Sequence, residues 1–175
     1  VLPEGGHLKP GMFAVGGDSH STTGGAFGCY MFGIGATEMA GVFATGEIWL
    51  RVPETIRIEW EGSFANGVGA KDVMLFLCGR LGMDGGRYQS LEFSGQAIRK
   101  LSMQERMTLC NMTAELGAQA GLVEPDEVTA EWLSSRGTDP GDWQRWSSDP
   151  DAKPEENHVF DASSLVPQVA APHSP

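Results

Sequence analysis

The 175-residue chain predicts an α/β layer architecture. Three observations carry this. Strand-period and helix-period segments alternate from residue 54 onwards. Near the start, a short apolar run leads into a polar, glycine-rich loop. The length suffices for one generous domain or two small ones, with a buried core in either case.

Taken in order, residues 12–15 read as a short buried strand ended by Gly16 and Gly17. The polar loop "DSHSTT" follows. Then "GAFGCYMFGIGATEMAGVFATGEIWL" mixes Gly and Ala with large apolar residues, the pattern of one or two tightly packed helices. The order strand, glycine-rich loop, helix suits an anion held at a helix N-terminus. It matches neither G-x-G-x-x-G nor G-x-x-x-x-G-K-S/T, so a carboxylate fits better than a nucleotide. Arg51-Val52-Pro53 breaks the pattern and sets a domain boundary near Pro53. Beyond it, Ile56, Ile58 and Trp60 alternate with Arg57, Glu59 and Glu61 as a half-buried strand. "AKDVMLFLCGRLG" has helical spacing with Gly82 as its C-cap, and "RYQSLEFSG" is the next strand. Ser102 and Glu105 form a capping box that opens a helix running to about Gly117 or Gly121. "EPDEVTAEWLSSRG" is a short helix starting at an acidic cluster. A Pro/Gly/Asp-rich connection then leads to a final strand at "HVFDASSL", with Trp143 and Trp146 expected to pin one helical turn onto the core. The domain reading is therefore 1–53, 54–123 and 124–175.

The formal charge is −11, from 23 acidic and 12 basic side chains, which disfavours a nucleic-acid partner. Much of the excess lies between residues 115 and 161 and reads as a solvated acidic surface. No apolar run approaches the ~20 residues of a membrane span. Val1-Leu2-Pro3-Glu4 is not a secretory leader pattern. Cys29, Cys78 and Cys110 lie far apart, without disulfide-framework or C-x-x-C spacing. Cys29 and Cys78 sit in apolar stretches as small hydrophobes, and a cytoplasmic location fits.

Chemistry concentrates in two places. Asp18, Ser19 and His20 stand together on the loop after the first strand, where α/β folds bind small molecules. The competing reading is that Asp18 and Ser19 cap the following segment and His20 is merely exposed. Farther on, Asn111 and Glu115 are spaced i, i+4 and share a helix face beside the apolar stripe Met103, Met107, Cys110 and Ala114. A glutamate there can orient an imidazole and fix its tautomer. The alternative is an ordinary solvent-facing pair.

Together, "GDSHSTTGGAFG", "GIGATE" and "CNMTAELGA" resemble the aconitase superfamily of iron–sulfur hydro-lyases, and most closely the large subunits of 3-isopropylmalate dehydratase and homoaconitase-like enzymes. The resemblance extends over most of the chain, through "VPETIRIEWEG" and "AKDVMLFL". It implies an aconitase-like three-layer α/β/α fold, with part of the first domain and most of the second. Asp18, His20 and Glu115 would be catalytic, His20 beside the substrate hydroxyl with Glu115 orienting it. Ser19 would bind a substrate carboxylate and Asn111 would line the same pocket. The reaction implied is dehydration and rehydration of a hydroxy-di- or tricarboxylic acid, in a heterodimer with a small swivelling-domain subunit.

A 4Fe–4S cluster is implied for the parent enzyme, but the family's S-C-T-N and C-G-x-C cysteine segments do not occur here. The expectation is an internal piece of a longer large subunit. Its cluster cysteines would lie beyond Pro175, no metal would be held by these residues, and the piece alone would be inactive. His7 does not have the spacing of the family's missing histidine partner for Asp18 and takes no role. A non-catalytic binding module that keeps the fold is the alternative from another class. A nucleotide-binding enzyme would need a phosphate-binding motif that is absent.

Overall fold

The computed structural model describes residues 2–172. Among these the strands form two parallel sheets. β1 (Phe13–Gly16) and β2 (Tyr30–Gly33) pair in register from Phe13↔Tyr30 to Gly16↔Gly33. β3 (Thr55–Glu61), β4 (Ser90–Ser94), β5 (Ala120–Val123) and β6 (Glu156–Asp161) form the larger sheet, in the order β5-β4-β3-β6. The helices are α1 (Ala36–Thr45), α2 (Ala70–Leu81), α3 (Gln96–Arg99), α4 (Met103–Asn111) and α5 (Glu127–Ser134). This is an α/β fold, and no described helix is long and apolar enough to cross a membrane.

The period-2 pattern of β3 is realised in full. Ile56, Ile58 and Trp60 are buried in one core with Val73, Met74 and Leu77 of α2, while Arg57 turns the other way to meet Glu92 of β4. The indole of Trp60 stacks on Phe160 of β6 at 4.9 Å between ring centres, tying the edge strand to the centre. Ser102 and Glu105 make the reciprocal capping box that starts α4. Gly82, at φ +82°, closes α2.

Five expectations are corrected. The stretch after the polar loop is not wholly helical: a 3₁₀ segment (Ser19–Phe27) is stopped by left-handed Gly28, and Tyr30–Gly33 becomes β2 because it can pair with β1. β1 is not buried. Phe13 is 50% exposed and stacks on Tyr30 across the strand pair, since a two-stranded sheet has little to cover it. α1 is not tightly packed either: none of its residues is buried, and Phe43 lies open. The turn at Trp143–Trp146 has no buried residue and leaves Trp146 48% exposed, because its ring lies against Gly11, outside the core. The predicted long helix through Glu115 is α4 followed by a tighter 3₁₀ turn (Met112–Leu116), ended by Gly117 at φ +70°.

A buried ion pair ties α4 to α5. The guanidinium of Arg106 is fully buried and donates to both carboxylate oxygens of Asp126, at 2.7 and 2.6 Å. It also donates to the carbonyls of Arg99 and Leu101. Asp126 in turn caps α5 by accepting from the Thr129 N–H. Arg106→Ala strands a mostly buried carboxylate and should cost about 3–5 kcal/mol, read as a lowered midpoint in urea unfolding.

A second tie is acid-sensitive. Asp72 accepts from the Gln168 N–H at 2.6 Å and the Gly69 N–H at 2.8 Å, and these bonds hold its carboxyl below the ordinary value. A lowered pKa in the fold means the tie is complete above the ordinary carboxyl value of about 3.9. It is lost as pH falls through the lowered value. The Gln168 amide signal should therefore titrate below about pH 4, and Asp72→Ala should abolish that titration.

Candidate functional site

The loop begins where β1 ends. Gly16 and Gly33 lie opposite each other at the C-terminal end of the small sheet. A Cβ at Gly16 would enter the Ser21 hydroxyl, and one at Gly33 would enter the Asp18 carbonyl. The two glycines thus leave space for the chain to fold back over the strand ends. Asp18 caps the 3₁₀ segment, its Oδ1 accepting from the His20 N–H at 2.8 Å. The capping and the site readings of this loop are therefore compatible: the cap fixes the backbone from which the His20 ring projects.

Glu115 arrives from the other side, on the 3₁₀ turn after α4. The loop segment meets β5 backbone to backbone, and the turn packs on β5 through the side chain of Thr113. A Cβ at Gly25 would collide with the Gly121 carbonyl, and one at Gly121 with the side chain of buried Thr113. At this separation His20 Nε2 lies 3.2 Å from Glu115 Oε1. An ionised carboxylate only accepts, so Nε2 carries the proton in that bond, and Nδ1 is the ring nitrogen left for exchange. Nδ1 faces the Ser19 hydroxyl at 3.3 Å and Asp18 Oδ1 at 3.7 Å. The ring is 41% and the Glu115 side chain 36% exposed, so the pair is open to a ligand.

Asn111, the last residue of α4, reaches the same loop by a different route. Its Nδ2 donates to Thr23 Oγ1 at 2.9 Å, and Thr23 Oγ1 donates to the His20 carbonyl at 2.6 Å. Asn111 thereby supports the backbone of His20. Thr23 went unassigned in the sequence; one small hydroxyl among several gives no signal of which one bridges. Glu115 also lines an open cleft of about 460 Å³, whose polar lining includes Thr23, Lys71 and Asn111 and whose apolar side chains are Met107 and Met112. The arrangement is an exposed imidazole oriented by Glu115, a residue that also lines the cleft, and is suited to proton exchange with a bound molecule.

The cysteines lie elsewhere in chemical terms. All three are buried and unpaired, and burial pushes the Cys29 thiol up to about 11 and raises those of Cys78 and Cys110 as well. Among the described residues no group of His, Cys, Asp or Glu side chains is placed to hold a metal ion.

Comparison with known proteins covers the whole chain. The model of the aconitase family (aconitate hydratase) matches residues 1–175. The 3-isopropylmalate dehydratase large subunit 1 of Methanopyrus kandleri is 49% identical over 175 residues, which is 100% of this chain and 41% of that protein. A probable methanogen homoaconitase large subunit of Methanosarcina mazei is 50% identical over 173 residues, 99% of this chain and 44% of that protein. The 3-isopropylmalate dehydratase large subunit of Aquifex aeolicus is 43% identical over 175 residues, 100% of this chain and 40% of that protein. The chain spans about two fifths of the length of these curated relatives.

The close approach at Gly25 is open to a direct test. Gly25→Ala should destabilise by about 1–3 kcal/mol, because the added methyl meets backbone that has nowhere to move. Gly41→Ala, in the middle of exposed α1 with nothing within 4 Å, should stabilise by about 0.5–1 kcal/mol. Thermal unfolding of the two variants beside the parent reads both signs.

Proposed function

Because the chain belongs to the aconitase family, we propose that it forms one wall of the active site of a hydro-lyase. The reaction isomerises a hydroxy-di- or tricarboxylic acid by dehydration and rehydration, with 3-isopropylmalate as the substrate. The observation that carries this reading is the bond between His20 and Glu115, two residues 95 positions apart held at 3.2 Å beside an open cleft.

In this reading Glu115 fixes the His20 ring with its proton on Nε2. Dehydration then starts from the imidazolium: Nδ1 gives its proton to the hydroxyl, which leaves as water, while the proton of the neighbouring carbon passes to a base contributed by the partner subunit; rehydration returns both protons. Ser19 donates to a substrate carboxylate. Asp18 holds the loop and contributes its exposed carboxylate to the site. Asn111 keeps the His20 backbone in place through Thr23. Residues 1–53 serve as part of a first domain, 54–123 as the core of a second, and 124–175 as a connecting portion; the separate sheets formed by β1–β2 and β3–β6 support that division.

The family implies a 4Fe–4S cluster, which supplies a Lewis acid toward the departing hydroxyl when bound. The thiols of this chain do not fit it: they are buried, and their raised pKa values oppose the thiolate that an iron ligand must be. The relatives' designation as large subunits supports a small-subunit partner that completes the site. The unpaired cysteines support a reducing, cytoplasmic setting. The 50% identity to a probable homoaconitase large subunit favours homoaconitate as the second substrate to try.

The test is turnover of 3-isopropylmalate and homoaconitate by the full-length large subunit with its small subunit. His20→Asn should lower kcat at least about 100-fold. Glu115→Gln, which leaves the ring in place but loosens its orientation, should lower it about 10- to 100-fold. Turnover of neither acid by the parent, or full activity of His20→Asn, would overturn the reading.

A further inference from the structure

We infer that Lys71 is the cation that binds one carboxylate of the substrate, a specificity role that rests on the hydro-lyase reading above. Lys71 stands in the first turn of α2 and lines the same cleft as Glu115 and Asn111, so a third element reaches the site. It is the one cationic side chain among the residues that line the cleft, as Glu115 is the one anionic side chain. Its ammonium makes no hydrogen bond or ion pair with any described residue, although the other polar groups nearby are engaged: Glu115 with His20, and Asn111 with Thr23.

An unpaired cation in the cleft lined by Glu115, the partner of the imidazole, is what an anionic substrate needs here. The chain carries a formal charge of −11, and both carboxylates at the site, Asp18 and Glu115, repel a dicarboxylate that approaches His20. One ammonium at the cleft offsets that repulsion where it is strongest and fixes which end of the substrate enters. The far wall suits the remainder of the molecule. Met107 and Met112 are flexible and apolar, able to pack against an alkyl substituent that carries no charge. Lysine at this position thus selects acids with a second carboxylate placed away from the reacting hydroxyl.

The experiment uses the full-length large subunit with its small subunit, comparing Lys71→Gln and Lys71→Arg with the parent. Two readouts are taken: steady-state kinetics with 3-isopropylmalate, and calorimetric binding of 2-isopropylsuccinate, which keeps both carboxylates but has no hydroxyl to lose. Lys71→Gln should raise KM, and weaken binding of the saturated acid, by about 10- to 100-fold, as expected for one charge-assisted bond. Its kcat should stay within about threefold and the pH profile of kcat should be unchanged; Lys71→Arg should recover most of the binding. Unchanged KM and unchanged binding overturn the inference. So does a fall in kcat with a displaced pH profile, which assigns Lys71 to the Glu115–His20 pair. An absence of turnover in the parent sinks the hydro-lyase reading alone, since binding of the saturated acid still reports on Lys71.

Discussion

At Gly25 the 3₁₀ segment runs so close to β5 that a methyl group there would enter the Gly121 carbonyl, and at Gly121 one would enter the side chain of Thr113. Helices packed through ordinary side chains keep their axes about 8–10 Å apart. Here two backbones touch with no side chain between them, and the third element packs on them through Thr113. That contact sets the distance between the segment bearing His20 and the turn bearing Glu115, and the 3.2 Å bond between them follows from it. The same closeness buries Phe27 at the end of the segment, where it packs on Trp132 of α5 and joins the small sheet's loop to the main core.

The other glycines of the loop act in sequence with this one. Gly16 and Gly33 let the chain turn back over the strand ends, and Gly28, in the left-handed region, stops the segment so that β2 can begin. Each replaces a side chain with open space at a place where backbone must pass. Hydroxyls then occupy the margins of that space: Thr22 donates to the Asn111 carbonyl, Thr23 to that of His20, and buried Thr113 to that of Cys110.

This explains which features were legible in the sequence. β3 was readable because its one buried face meets α2, so apolar residues recur every second position. The capping box at Ser102 and Glu105 was readable because both partners lie within four residues. β2 was not, since Tyr30–Gly33 earns its strand only by pairing with β1, and its glycine-rich flanks look the same beside a helix. Arg106 was hidden for the opposite reason. In "SMQERMTL" it reads as a surface residue, and only the fold supplies Asp126 and two carbonyls to a buried guanidinium. The pairing of His20 with Glu115 was visible as a compatible couple of residue types and a family resemblance. The Thr23 bridge and the cleft facing Lys71 depend on three-dimensional placement alone.

The exposure of the pair decides what holds it together. With His20 at 41% and Glu115 at 36%, water competes for both partners, and an ion pair so placed adds about 0–1 kcal/mol. That is too little to set the position of two chain segments, each of which loses about 1–2 kcal/mol of conformational freedom for every residue it orders. The geometry must therefore be imposed from outside the pair, by the glycine contact beneath it and by the Asn111–Thr23 bridge behind it. A pair positioned in this way keeps its geometry when the charge on either partner changes. The proposed role of His20, an imidazole that gains and loses a proton in each turnover, would have that requirement: the bond to Glu115 can strengthen and weaken while the ring stays in place.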